Sequence, residues 1–144
     1  MNLEVKERAA WVKKLVRETG TKGIVVGLSG GKDSTAVAAI CVMAGVPVLG
    51  INLPIKSNPE DMEYVNKLLK ALPAIEFEQI NLNSAFEALK DTLGLDPERD
   101  KLTCANIKAR LRMTTIYAKA NQRNYLVAGT DNACESYVGY FTKW

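Results

Sequence analysis

From Ser34 to Ile55 the chain carries no charged residue, and this run constrains the fold more than any other feature. It is long enough to cross a bilayer, which takes about 20 apolar residues. Gly45-Val46-Pro47 interrupts it, however, and its two halves match different elements. Ala36 to Met43 reads as a buried helix and Val46 to Leu53 as a buried strand. A helix that stops at glycine and feeds a wholly apolar strand is the pattern of a parallel sheet covered on both faces. The run therefore predicts the core of an α/β domain, and no membrane is expected as a partner.

The flanking sequence continues the alternation. Leu3 to Glu18 sets Val5, Ala9, Val12 and Val16 at helical spacing, with Gly20 after the last turn. Ile24 to Leu28 is a short apolar strand. Asn58 can cap a further helix, with Pro59 at its first position, Glu60 and Asp61 in its first turn, and Met62, Val65, Leu69 and Leu72 on its buried face. A strand near Ile75 to Ile80 follows, then a helix from Ser84 to Leu93 stopped by Gly94, then a charged connector containing Pro97. The longest helix is expected over Thr103 to Asn121, with Cys104, Ile107, Leu111, Thr114 and Ala118 as its apolar stripe. Tyr125 to Ala128 makes a fourth strand, and loop with a short turn of helix follows Gly129. This order predicts one domain over residues 1–144, α/β, a parallel sheet with helices on both faces. Ligands of such sheets bind beyond the carboxyl ends of the strands, where strand order reverses.

Composition narrows the function classes. Hydrophobic residues at 47% and charged residues at 24% exclude disorder, collagen-like repeats and a coiled-coil rod. A net charge of +3, from 19 basic and 16 acidic residues, is too weak a bias for a nucleic-acid footprint. Histidine is absent, and Cys41, Cys104 and Cys134 form no CxxC pair. A histidine-based triad is thereby excluded, and a zinc site would have to rest on scattered thiols and carboxylates. Reduced, mostly buried thiols, with no basic leader and apolar core ahead of the first helix, predict a cytoplasmic location.

Gly27-Leu28-Ser29-Gly30-Gly31-Lys32-Asp33-Ser34 joins the first strand to the N-terminus of the uncharged helix. Adjacent glycines let backbone amides approach an anion, the helix end adds partial positive charge, and Ser29 and Ser34 add hydroxyl donors. These are the parts of a phosphate cradle. It is not the common P-loop, which needs a glycine where Val26 stands and Ser or Thr where Asp33 stands. An aspartate facing a polyphosphate implies a divalent cation between them, which points to Mg²⁺. The alternative is a glycine-rich turn whose helix Asp33 caps.

Three later segments carry further information. Asn106-Ile107-Lys108-Ala109-Arg110-Leu111-Arg112-Met113 falls on the long helix, Gly129-Thr130 leads to Glu135, and Gly139-Tyr140-Phe141-Thr142-Lys143 closes the chain. By itself the helix reads as amphipathic, with a solvated basic face. Lys108 and Arg112 share one side, and Arg110 projects about 160° away from them. Ser29-Gly30-Gly31-Lys32-Asp33-Ser34 after a first strand resembles the pyrophosphate loop of the N-type ATP pyrophosphatases. The three later segments resemble, in order and spacing, those of the NAD synthetase family, and the resemblance runs from about residue 3 to the end.

That resemblance implies a Rossmann-like, three-layer fold of the adenine nucleotide alpha hydrolase type. It implies ATP at Gly27, Leu28, Ser29, Gly30, Gly31, Lys32, Asp33, Ser34 and Thr130, Mg²⁺ at Asp33 and Glu135, and the dinucleotide at Arg110 and Lys143. The activity implied is that of a ligase, which amidates deamido-NAD (nicotinic acid adenine dinucleotide) to NAD through an acyl-adenylate, releasing AMP and pyrophosphate. No covalent catalytic side chain is required. ATP, deamido-NAD and ammonia are the implied partners, together with a second copy in a homodimer. The residues before Ile24 leave no room for a glutaminase domain, so free ammonia is the expected donor.

The chain also departs from the family pattern. Asn52-Leu53-Pro54 stands where many bacterial members have arginine before Leu-Pro, and Asn132 and Cys134 occupy positions that vary between branches. Family sequences continue past the position of Trp144 into a segment that adds contacts to both substrates. Nucleotide binding with weak or absent turnover is therefore the expectation for the 144-residue polypeptide. The alternatives are another ATP pyrophosphatase, or a nucleotide-binding or dimerisation module without catalysis.

Overall fold

The computed structural model describes residues 3–142. Four strands, β1 (Gly23–Gly27), β2 (Val48–Asn52), β3 (Ile75–Gln79) and β4 (Tyr125–Ala128), form one parallel sheet in the order β3-β2-β1-β4. The helices are α1 (Leu3–Glu18), α2 (Lys32–Met43), α3 (Pro59–Ala71), α4 (Asn83–Thr92), α5 (Lys101–Arg123) and α6 (Ala133–Val138). None of them is long and apolar enough to cross a membrane.

The strand order decides which face each helix covers. From β1 through β2 to β3 the chain steps one way across the sheet, and from β3 to β4 it steps back past β1. Right-handed crossovers put the helices of the two directions on opposite faces. Accordingly Val16 of α1, Ala38 and Cys41 of α2, and Val65 and Leu68 of α3 pack with Ile24, Val26, Val48 and Ile75. On the other face Phe86 of α4 and Cys104 and Ala120 of α5 pack with Val25, Leu49 and Ile51. The alternation Ile24, Val25, Val26 is the two-residue period of a strand buried on both sides. β2 is buried at every position, whereas β4 at the margin is half-buried throughout.

Local rules set the element ends. Asn58 accepts from the Glu60 amide and caps α3, with Pro59 at the first helical position. At its other end α5 closes on Asn124 in the left-handed region (φ 56°), a conformation asparagine tolerates. Its Nδ2 donates to the Gly20 carbonyl, tying the end of α5 to the turn after α1.

The expected apolar stripe of α5 needs a correction. Cys104 is buried, and Ile107 and Leu111 pack against the core, but Thr114 and Ala118 are exposed. The sheet-facing row instead continues through Ile116 to Ala120. Thr114 and Ala118 each stand two residues from that row, about 160° round the helix, so they face away from the sheet.

Candidate functional site

β1 ends at Gly27, and Leu28 extends the ladder by donating its amide to the Ile51 carbonyl at 2.8 Å. The chain then turns sharply. Gly30 has φ +84°, and a Cβ there would lie 2.6 Å from the backbone oxygen of Asp61, so α3 forms one wall of the turn. Gly31 is the N-cap of α2 in extended conformation, and no side chain caps it. Asp33 therefore does not cap the helix. The amides of the first turn of α2 are left for an anion.

The serines hold this turn from inside. Ser34 is only 3% exposed, and its Oγ donates to the Gly31 carbonyl at 3.0 Å. It also lies 3.2 Å from Ser29 Oγ, which accepts from the Gly31 amide at 3.2 Å. Ser29 is exposed towards the cleft described next, while Lys32, the first residue of α2, is exposed outside it.

The order β1-β2-β3 reverses at β1, and the reversal opens a cleft of about 700 Å³ over the carboxyl ends of the strands. Gly27, Leu28 and Ser29 line it from β1, Ile51 to Pro54 from β2, Gln79 from β3, and Val127 to Asp131 from β4, so Thr130 lies in its wall. α3 contributes Asp61 and Met62, and α5 contributes Ala109, Arg112, Met113, Ile116 and Tyr117. Asn52 sits at the base, 8% exposed. It donates to the Leu28 carbonyl at 2.7 Å and accepts from Gln79 Nε2 at 3.0 Å.

A second carboxylate approaches Asp33 through an asparagine. α6 begins with a capping box: the Asn132 side chain accepts from the Glu135 amide at 2.9 Å, and the Asn132 amide donates to Glu135 Oε2 at 3.1 Å. Asn132 Nδ2 donates to Asp33 Oδ2 at 3.4 Å. Asp33 and Glu135 thus share one neighbour, and both are half-buried. Among the described residues no group of three or more acidic, cysteine or histidine side chains could hold a metal. Two hard oxygen donors are, however, the complement a Mg²⁺ needs when substrate phosphates and water complete its shell.

The basic residues of α5 divide as their spacing requires. Lys108 Nζ lies 5.1 Å from the centre of the buried Phe86 ring, and Arg112 Nε donates to the Leu53 carbonyl at 3.0 Å. Both face the sheet. Arg110 is exposed and is not part of the cleft wall. Lys143 lies outside the described residues. Sequence reasoning left Arg112 on a solvated face and gave Gln79 no role. Arg112 was detectable, because steps of four from Cys104 pass through it to Ile116 and Ala120, both in the core.

A parallel sheet with an uncapped helix start at its switch point defines an α/β nucleotide-type domain. Comparison with known proteins agrees. A family model described as NAD synthase matches residues 4–144. The NH(3)-dependent NAD(+) synthetase of Mycoplasma genitalium is 42% identical over 97% of this chain. Among solved structures, the NMN synthetase of Francisella tularensis superposes with a TM-score of 0.89 at 38% identity, over 96% of this chain. The NH3-dependent NAD synthetase of Campylobacter jejuni also gives 0.89, at 29% identity over 99% of this chain. The chain belongs to the NAD synthase family. It spans 57% of the Mycoplasma relative's length and 58% and 62% of the two solved chains.

Proposed function

We propose that this chain carries the ATP-binding half of an ammonia-dependent NAD synthetase reaction, the amidation of deamido-NAD to NAD. The observation that carries this reading is the uncapped start of α2 beneath the Gly30–Gly31 turn, opening where a 700 Å³ cleft crosses the strand ends. Family membership supplies the reaction class.

In this reading the α2 amides and Ser29 hold the pyrophosphate portion of ATP, and Ser34 keeps the turn in shape by bonding the Gly31 carbonyl. Thr130, at the end of β4, binds the nucleotide from the opposite wall. Asp33 and Glu135 would hold Mg²⁺, which when bound neutralises phosphoryl oxygens. The nicotinate carboxylate attacks the α-phosphorus, pyrophosphate leaves, and ammonia displaces AMP from the acyl-adenylate. No side chain forms a covalent bond, so the protein's contribution is positioning and charge neutralisation. Arg110 and Lys143 are read as dinucleotide contacts. The reading includes a homodimer, for which exposed Leu102 and Tyr117 on α5 offer apolar surface, and a cytoplasmic location.

A second reading is favoured by the 38% identical Francisella structure: the acid amidated is the mononucleotide, and the product is NMN. The test supplies ATP, Mg²⁺ and ammonium with either acid and measures AMP, NAD and NMN, using Asp33→Asn as control. NAD release lost in the variant supports the first reading, and NMN release the second. AMP release that ignores both acids contradicts both.

A further inference from the structure

The cleft is poor in positive charge. Among the described residues that line it, Asp61 and Asp131 are acidic and Arg112 is the only cation. A nucleoside triphosphate entering this space needs counter-charge on the wall as well as amides at the turn. Lys32 stands outside it.

Arg112 is suited to supply that charge. Its Nε is spent on the Leu53 carbonyl at 3.0 Å, which fixes the plane of the guanidinium. Its remaining N–H groups make no hydrogen bond or ion pair with any described residue. Burial pulls the guanidinium's pKa down, outweighing the opposing charge of Asp61, and arginine stays protonated regardless. A half-buried cation with one edge fastened and the other unpaired leaves donors in fork geometry for an oxyanion. Its position fits the polyphosphate end of the cleft, because Arg112 lines the same cleft as Ser29 and Asp61, and the Asp61 backbone forms the wall against Gly30.

We propose that Arg112 is an anion-binding residue of this cleft, whose free guanidinium edge contacts phosphate oxygens of the nucleotide seated on the Gly30–Gly31 turn. The inference rests on the nucleotide reading above. Its rival is a strut, in which Arg112 serves only to hold Leu53 against α5. A strut supports every ligand alike, whereas a phosphate contact distinguishes ligands by charge.

The experiment is calorimetric titration of the chain with Mg-ATP, inorganic triphosphate and adenosine, for the wild type and for Arg112→Gln, which loses the charge but keeps an N–H donor for Leu53. The variant is expected to weaken ATP and triphosphate by about 10–100-fold, the range of a lost charge-assisted hydrogen bond, with adenosine within about twofold. Equal losses for adenosine and ATP, or unchanged triphosphate affinity, overturn the inference and leave nucleotide binding standing. Wild-type protein that binds triphosphate but neither nucleotide nor nucleoside overturns the nucleotide reading alone. Wild-type protein that binds none of the three overturns both. Should Arg112→Gln melt early, Arg112→Lys decides: triphosphate affinity retained with the charge supports the inference, and joint loss of triphosphate and adenosine contradicts it.

Discussion

Asn52 donates from Nδ2 to the Leu28 carbonyl oxygen at 2.7 Å, which fastens the end of β2 to the start of the glycine turn. Its Oδ1 accepts from Gln79 Nε2, so one buried amide ties the ends of three adjacent strands together beneath the cleft. In this chain the position is an interior hydrogen-bonding hub. Asn52→Leu leaves the Leu28 carbonyl without its partner, and such a loss costs about 1–3 kcal/mol. Chemical denaturation should show that drop. ATP affinity should fall as well, because Leu28 leads directly into the turn.

Gly30 is the least replaceable residue of the turn. Its φ of +84° is strained for any side chain, and the added carbon would meet a backbone oxygen of α3 at 2.6 Å, which no rotamer change can relieve. Gly30→Ala is expected to lower stability by about 1–3 kcal/mol and to remove most ATP binding. Gly45, also at positive φ, has open space around its Cβ position and carries only the strain. Gly45→Ala should therefore lose stability without the same loss of nucleotide. Equal ATP affinity in the two variants would contradict this account of the turn.

Stability in acid should depend on Glu87. The ammonium groups of Lys56 and Lys90, both ion-paired with it, hold its carboxyl down at about 2, against an ordinary value of 4.5. A depressed carboxyl stabilises the fold fully above its unfolded pKa and loses that contribution as pH falls towards the folded one. The window is thus from about pH 4.5 down to about 2. Glu87→Gln should melt earlier than wild type at neutral pH, and the gap should close across that window. Glu76, Glu78 and Asp100 are lowered by their own basic partners, so both proteins keep some acid sensitivity.

Thiol reactivity should separate the cysteines. Cys41 is buried in the core, and burial raises its pKa to about 11, so almost no thiolate forms at neutral pH. Cys104 is buried against the other face of the sheet, while Cys134 on α6 is exposed. A thiol reagent should modify Cys134 in the native protein within minutes, and Cys41 and Cys104 only after unfolding. Rapid native modification of Cys41 would show that the α2 face opens readily.

What the sequence made legible was local. The bounds of α1 at Leu3 and Glu18, the Asn58-Pro59 start of α3 and the glycine turn before α2 follow from caps, spacing and backbone freedom within a few residues. The β3-β2-β1-β4 order is set by long-range pairing, which no short window contains. The same limit explains α5. A helix considered alone offers several apolar stripes, and only its docking on the sheet selects the row through Ile116 and Ala120 over Thr114 and Ala118. Arg112 was obscured for a related reason, since a basic residue defaults to solvent until a neighbouring carbonyl, here that of Leu53, is known to face it. The glycine loop brought Asp33 forward and the family resemblance alone brought Glu135, but the Asn132 bridge between them became visible only in three dimensions.

Glu135 caps α6 in the structure and is a cation ligand only in the proposed reading, and one substitution tells the two roles apart. Its carboxylate accepts from the Asn132 amide in the capping box, a bond that glutamine at the same helical position makes equally well. A cation held together with Asp33 requires the negative charge, which glutamine lacks. Glu135→Gln should therefore leave the melting temperature nearly unchanged, while the gain in ATP affinity on adding Mg²⁺ falls by about tenfold, the equivalent of about 1.4 kcal/mol. Glu135→Ala should lose both, with an additional stability cost of about 0.5–2 kcal/mol, the usual range for a broken cap. If Glu135→Gln keeps the full Mg²⁺ effect, the residue is a helix cap alone, and Asp33 must hold the cation without it.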